Sequence, residues 1–537
     1  MTDWNFADVW ETVADTIPRA PALLHGERIV TWAEFDRRAN AVGRSLLGFG
    51  VKRQDKVAHY LYNCPEYLES TFAIFKVGLV PVNTNYRYTD DELVYLWENA
   101  DTVVVIFHGA FGDRIEGLRH RIPGVRTWLW VDDGSGPCPS WATPYEEIAS
   151  AEAERVSAPW GRSGDDLLML YTGGTTGMPK GVMWRQDDLF SRINAGNLLR
   201  VPDEEGLDGI AKTVVGSGPR IIPACPLMHG TGSFTSIGCL NIGGSVVTLT
   251  NRRFDPMELL DTIDRETVNI IAIVGDAFAK PILAALDEHP GRWKLSTLLA
   301  VISSGVMFSE ETKRGLLKHH PAMMLVDAFS SSEALGMGAS VSTGSSTEHT
   351  AHFTLGPDVR VLDPETGKNV HPGSGEVGVL ALGGRNPLGY YKDEQKSAAT
   401  FKEIEGVRYS IPGDFATVDA DGSIQLLGRG SVVINTGGEK VFPEEVEEAL
   451  KTNPTVRDAV AVGIPDKRFG EVVAAVVELR PQTSPSEQEL IDYVKGRLAG
   501  FKAPKRVRFV TSIDRSPAGK IDYARHRSET TAWATGA

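Results

Sequence analysis

The sequence predicts a mixed α/β chain, with a large N-terminal part built on largely parallel sheets and a small α+β domain after it. Three observations predict this. Short apolar, β-branched runs alternate with helical patterns from about residue 20 to about residue 425, the alternation expected of parallel sheets with ligand loops at the strand ends. The pattern changes near Gly428, where a charged helix opens a different order of elements. The length, 537 residues, also exceeds what one core fills at roughly 100–200 residues per domain.

In the first part, residues 103–107, 167–171, 270–274, 298–303 and 324–329 read as buried strands. Residues 256–266 and 309–319 carry helical periodicity between them. Residues 132–140, rich in glycine and proline, read as a surface excursion. After Gly428 comes a helix over 443–451 with Val446, Ala449 and Leu450 on one face. Strands over 459–463 and 472–479 follow, then a helix over 487–498 and a strand over 507–510. That unit is large enough to fold as a domain.

Composition excludes several classes. Hydrophobic residues make up 42% and charged residues 23%, the balance of an ordinary globular chain rather than a disordered one. The formal net charge of −15 argues against broad nucleic-acid or anionic-membrane binding, which need a basic face. Cys64, Cys138, Cys225 and Cys239 stand apart, with no zinc spacing and no disulfide framework. Asp3, Asp8, Glu11 and Asp15 occupy the region where a signal peptide is basic and then apolar. The apolar stretch 72–82 is short and interrupted by Lys76. The expectation is a cytoplasmic protein without a transmembrane segment.

The densest chemistry is YTGGTTGMPKGV over residues 171–182. Gly173, Gly174 and Gly177 let backbone N–H groups turn toward an anion. The hydroxyls of Thr172, Thr175 and Thr176 add donors, and Lys180 adds charge. It is not a Walker A loop, because Pro179 precedes and Gly181 follows the lysine.

This segment resembles the phosphate loop of the adenylate-forming superfamily: acyl-CoA synthetases, carrier-protein adenylation domains and luciferase. Further motifs follow in that family's order, so the resemblance spans nearly the whole chain. SSGVM at 303–307, with Ser304 and Gly305, resembles the loop that packs on adenine. FSSSE at 329–333 resembles the segment whose glutamate holds Mg²⁺, which implies Glu333 as metal ligand, with Ser331 and Ser332 beside the nucleotide. YSIPGD at 409–414 implies Asp414 on the ribose hydroxyls. Gly428 and Arg429 begin the hinge motif, TGGEKVFPEEV at 436–446 continues it and includes Lys440, and SPAGK at 516–520 matches the C-terminal lysine loop ending at Lys520.

PLMHGTG at 226–232 resembles the segment beside the acyl pocket. His229 is implied as an acyl contact, with Phe234, Gly336 and Met337 as further lining candidates. Three positions depart from the family pattern: Ser431 at the hinge, Phe329 where tyrosine is common, and Gly174 where serine is common. The resemblance implies a large multi-sheet N-terminal domain over 1–427, a hinge at 428–432 and a small mobile C-terminal domain over 433–537.

Physical reasons accompany these assignments. A carboxylate near a triphosphate needs an intervening cation, which suits Glu333 to Mg²⁺. Asp414 can accept from two ribose hydroxyls, and Arg429 can donate to the sugar or its phosphate. On local sequence alone other readings stand: a solvated or capping glutamate, a turn-forming aspartate, a strand end at 303–305, a packed His229, and a surface lysine at 520.

The implied reaction has two steps. A carboxylate attacks the α-phosphate of ATP to give an acyl-adenylate and pyrophosphate, and CoA then displaces AMP. Lys180, Glu333 and Lys520 are the implied catalytic residues, with ATP, Mg²⁺ and CoA as cofactors and co-substrates. Partners are these and a hydrophobic acid, with a homo-oligomer left open. Residues 176–185 and 437–446 look like those of actinobacterial synthetases for long-chain and steroid side-chain acids. The alternatives are a free-standing enzyme loading a carrier protein, a luciferase-like oxygenase and a non-catalytic nucleotide-binding module.

Overall fold

A computed structural model describes residues 3–172, 178–197, 199–306, 308–346, 350–429, 432–436, 439–466, 469–515 and 521–535, with backbone only at 429, 435, 439 and 440. The chain divides into two compact units. One takes most of the chain up to Thr350 together with Gly383–Ser410, and the other takes Ala351–Leu382 and Ile411–Ala537.

The first unit holds two sheets. In the first sheet the strands run in the order Gly389–Tyr390, Lys180–Arg185, Leu167–Thr172, Val80–Asn83, Lys56–Tyr60, Thr102–His108, Thr127–Val131, Thr143–Pro144. Leu167–Thr172 and the strands beyond it toward Thr143 pair in parallel, while Lys180–Arg185 turns back antiparallel on Leu167–Thr172. A second sheet passes from Arg28–Thr31 through Pro21–His25, Ser245–Thr248, Arg220–Pro223, Ile270–Ile273, Ala300–Ser304 and Met324–Ser331 to Ala334–Ser342. Its central pairings are parallel, so the loops after Ile273 and Ser304 emerge on one edge.

Helices seal these sheets. Pro65–Lys76 has every position buried except Glu66, and Phe72 and Phe75 pack on Trp10 with ring centroids 5.3 and 5.8 Å apart. Lys76, which interrupts the apolar 72–82 stretch, is fully buried between Glu11 at 2.5 Å and Asp36 at 2.6 Å. The cation is tolerated there because two carboxylates replace its hydration. Among the described residues no helix is long and apolar enough to cross a membrane.

The expected helix over 256–266 forms as Pro256–Glu266, capped by Asp255. That over 309–319 forms as Glu310–His319 with Ser309 as its cap. The strand expected at 298 starts at Ala300, because Leu298 N–H closes a turn onto the Leu295 carbonyl instead.

The second unit begins with strands His352–Leu355, Val359–Leu362, Val377–Leu382, Asp414–Val418 and Ile424–Arg429. It continues with the helix Pro443–Lys451, the long hairpin of Val456–Asp466 and Gly470–Leu479, the helix Glu487–Lys495 and the strand Arg506–Val510, which pairs in parallel with Gly470–Leu479. The segment 433–537 is therefore the C-terminal part of a larger compact unit, and Phe415 packs on Phe442 at 5.8 Å within it. The helix expected to reach 498 stops at Lys495, with Gly496 as its C-cap. A last helix, Tyr523–Thr535, has no apolar stripe in sequence and buries only His526 and Thr530.

Candidate active site

The glycine-rich run sits on a β-hairpin. Leu168, Met169, Leu170 and Tyr171 are all buried, so the strand is locked in the sheet up to Thr172. Thr172 is the direct cross-strand partner of Lys180. Gly173, Gly174, Thr175, Thr176 and Gly177 lie outside the described residues. Gly181 has a steric reason: a Cβ there would lie 2.6 Å from the Tyr171 ring. That ring's hydroxyl donates to Asn99 Oδ1 at 2.7 Å.

Lys180 pairs with Asp393 and lies 5.9 Å from the Tyr390 ring centroid. Hydrogen bonding to Lys180 holds the Asp393 carboxyl below its usual range. Asp393 also caps the helix Glu394–Thr400, accepting from Lys396 N–H at 2.9 Å. Tyr390 belongs to the short strand beside Lys180–Arg185, opposite Val182, and its hydroxyl donates to Glu333 Oε1 at 2.8 Å. The structure thus gathers Thr172, Lys180, Glu333, Tyr390 and Asp393 from three distant stretches of chain. The sequence reading missed Tyr390 and Asp393; the dense aromatic and charged run GYYKD over 389–393 was the available signal.

The expected adenine loop leaves the sheet edge at Ala300–Ser304. Ser303 Oγ accepts from Gly275 N–H at 2.9 Å, which ties two neighbouring loops. Gly305 has φ +90°, and a Cβ there would meet only Val274 Cγ1 at 3.9 Å; the backbone, not crowding, calls for glycine. The adjacent strand carries Ser331, whose Oγ is buried without a hydrogen-bond partner. Ser332 offers its carbonyl to Trp184 Nε1–H at 3.0 Å. Below them Asp327 faces Lys313 at 3.6 Å, both buried, and burial pushes Asp327 up to about 6. Met307 lies outside the described residues.

His229 is the half-buried N-cap of the helix Gly230–Asn241. Gly232 must be glycine, since a Cβ would lie 2.6 Å from the Pro226 carbonyl oxygen. A Cβ at Gly230 would stand 3.4 Å from both Leu170 and Phe234, which places Phe234 beside the strand Leu167–Thr172. The segment before His229 is held by two asparagines the sequence reading missed. Asn63 Nδ2 donates to the carbonyls of Pro223 and Cys225, and Asn83 Nδ2 donates to those of Tyr171 and Met228. Gly336 is exposed with φ +82°, whereas Met337 beside it is fully buried.

In the second unit, Asp414 opens its strand directly opposite Arg429, so the two expected ribose contacts share one end of a hairpin. Gly413 before it has φ +98° with open space at its Cβ position. Gly428 has φ +109°, and a Cβ there would lie 2.2 Å from the Glu444 carboxylate. Lys440 pairs with Asn435 in a short antiparallel ladder. Ser431 and Lys520 lie outside the described residues.

With that geometry in place, comparisons identify the family. Residues 10–391 match the family described as AMP-binding enzyme, and residues 445–520 match the AMP-binding enzyme C-terminal domain. The chain is 40% identical over 529 residues to the medium/long-chain-fatty-acid–CoA/3-oxocholest-4-en-26-oate–CoA ligase of Mycolicibacterium smegmatis, covering 97% of this chain and 95% of that one. It is 41% identical over 539 residues to the 3-oxocholest-4-en-26-oate–CoA ligase of Rhodococcus rhodochrous, covering 98% and 96%. The crystal structure of ATP-bound MatB from Rhodopseudomonas palustris matches with a TM-score of 0.80 at 25% identity, covering 98% of this chain and 99% of that one. The two family matches along the chain, together with relatives 40% identical over nearly its whole length, make this protein a member of the AMP-binding enzyme family.

Proposed function

We propose that the protein ligates a hydrophobic carboxylic acid to CoA at the expense of ATP, through an acyl-adenylate, releasing pyrophosphate and then AMP. The observation that carries this reading is the cluster in which Lys180 and Glu333 converge on the base of the phosphate loop through Tyr390. Attack on the α-phosphate spreads negative charge over the leaving pyrophosphate, so fixed cations next to that loop lower the barrier. Lys180 supplies one, exchanging Asp393 for a phosphate oxygen. The orphaned Ser331 hydroxyl has a donor to give the nucleotide.

Mg²⁺ fits this donor set. Tyr390 occupies one oxygen of Glu333, and magnesium commonly takes one or two carboxylates and completes its shell with substrate phosphates and water. Glu333 would hold it, and it would supply charge neutralisation at the phosphates. Gly305, open on its Cβ side, suits a purine approaching the backbone, and Asp414 with Arg429 suits the ribose. His229 and Phe234 would border the acyl chain. Lys520 would act in the adenylation step, brought in by rotation of 433–537 about 428–432.

The names of the relatives favour medium- or long-chain fatty acids or a steroid side-chain acid as substrate, and CoA over a carrier protein as acceptor. Incubation with ATP, Mg²⁺, CoA and a panel of such acids, followed by mass spectrometry, tests the proposal. An acyl-CoA thioester with equimolar AMP is the expected product. An adenylate that accumulates without passing to CoA would overturn the ligase reading.

A further inference from the structure

Asn83 ends the strand Val80–Asn83 and is only 6% exposed. Its Nδ2 donates to the Tyr171 carbonyl at 2.9 Å and to the Met228 carbonyl at 2.7 Å, while its Oδ1 accepts from Tyr171 N–H at 2.6 Å. Both amide hydrogens and one acceptor site are used, and the partners allow only one orientation of the amide. Toward Tyr171 the side chain imitates a strand, satisfying the N–H and the carbonyl of one residue just where the Val80–Asn83 ladder stops. Toward Met228 it reaches the residue before His229. A single buried amide therefore grips Tyr171, the residue before Thr172, and Met228, the residue before His229.

We infer that Asn83 is a positioning residue that sets the end of the strand Leu167–Thr172 and the segment leading to His229 relative to one another, so that binding of ATP and binding of the acid reinforce each other. The inference rests on the proposed function for the identity of the two ligands. The contrast with Asn63 makes it specific. Asn63 grips the same segment, donating to Pro223 and Cys225 and accepting from Leu227 N–H at 2.7 Å, but has no bond to the phosphate-loop strand. Asn63 serves one side of the site and Asn83 serves both.

Calorimetric titration of the full chain with α,β-methylene-ATP and dodecanoate, each alone and in the presence of the other, reads the coupling. Wild type is expected to bind each ligand about tenfold tighter in the presence of the other than alone, the worth of roughly one well-placed buried hydrogen bond. Asn83→Ala should bring that factor to about one and weaken both ligands. Asn63→Ala should weaken dodecanoate alone and keep the coupling. Should Asn83→Ala fail to fold, Asn83→Ser, which admits water in place of the amide, carries the same expectation. Coupling retained at the wild-type factor in the Asn83 variant, or absent from wild type, overturns the inference even if acyl-CoA forms. Coupling present in wild type and lost in the Asn83 variant, with a wild type that makes no thioester, overturns CoA as acceptor and leaves the inference standing.

Discussion

Lys180 is paired with Asp393, and in the proposed reaction a nucleotide phosphate would displace that carboxylate. The pair is about one-third exposed on each side, so its strength falls within the ~0.2–1 kcal/mol of exposed ion pairs. Asp393→Asn keeps an amide able to cap the helix Glu394–Thr400 but removes the competing charge. The KM for ATP should fall by roughly twofold to fivefold with little change in that for the acid. A rise in the KM for ATP would mean that Asp393 orients the lysine rather than competing with its ligand. Such pairings are invisible along the chain: Lys180 and Asp393 are 213 residues apart, and Glu333 and Tyr390 are 57 apart.

The helix Pro443–Lys451 shows how an element can oppose one of its own residues. Its first turn carries Glu444, where the helix dipole favours an ionised carboxylate. Burial works against that charge, Glu447 and Asp414 add repulsion, and Lys451 offsets only part of it, so Glu444 is pushed up to about 8. A carboxyl with a raised folded pKa stabilises fully at pH below its unfolded value near 4.5, and that contribution is lost as pH rises toward 8. Glu444→Gln should therefore raise the melting temperature more at pH 9 than at pH 6. A slope from Glu447, raised for the same chief reason of burial, should remain. Thermal melts across pH 5–9 check this, and parallel profiles for the two proteins would refute it.

For the whole molecule the question is how one site serves two reactions. Lys520 lies in the part of the chain matched by the C-terminal family domain. If rotation of that segment delivers it for adenylation alone, Lys520→Ala should cut pyrophosphate release by about 10²–10³-fold. Thioester formation from synthetic acyl-adenylate and CoA should continue near the normal rate. Half-reaction assays by rapid quench separate the two, and equal loss in both steps would remove the rotational role.

The residues alone determined the chemistry available: the glycine-rich loop with its lysine, the order of motifs, and the apolar runs that became strands at Leu167–Thr172, Ile270–Ile273 and Met324–Ser331. These are short-range properties, set by side-chain periodicity and by which backbone angles glycine permits. Only the tertiary structure decided that Tyr390 reaches Glu333, that Asp393 pairs with Lys180, that Asn83 joins Tyr171 to Met228, and that residues 433–537 share a compact unit with Ala351–Leu382 and the strands Asp414–Val418 and Ile424–Arg429. The reason is physical. A hydrogen bond or ion pair is decided by the direction and distance at which folded backbones present their atoms, and sequence separation carries neither.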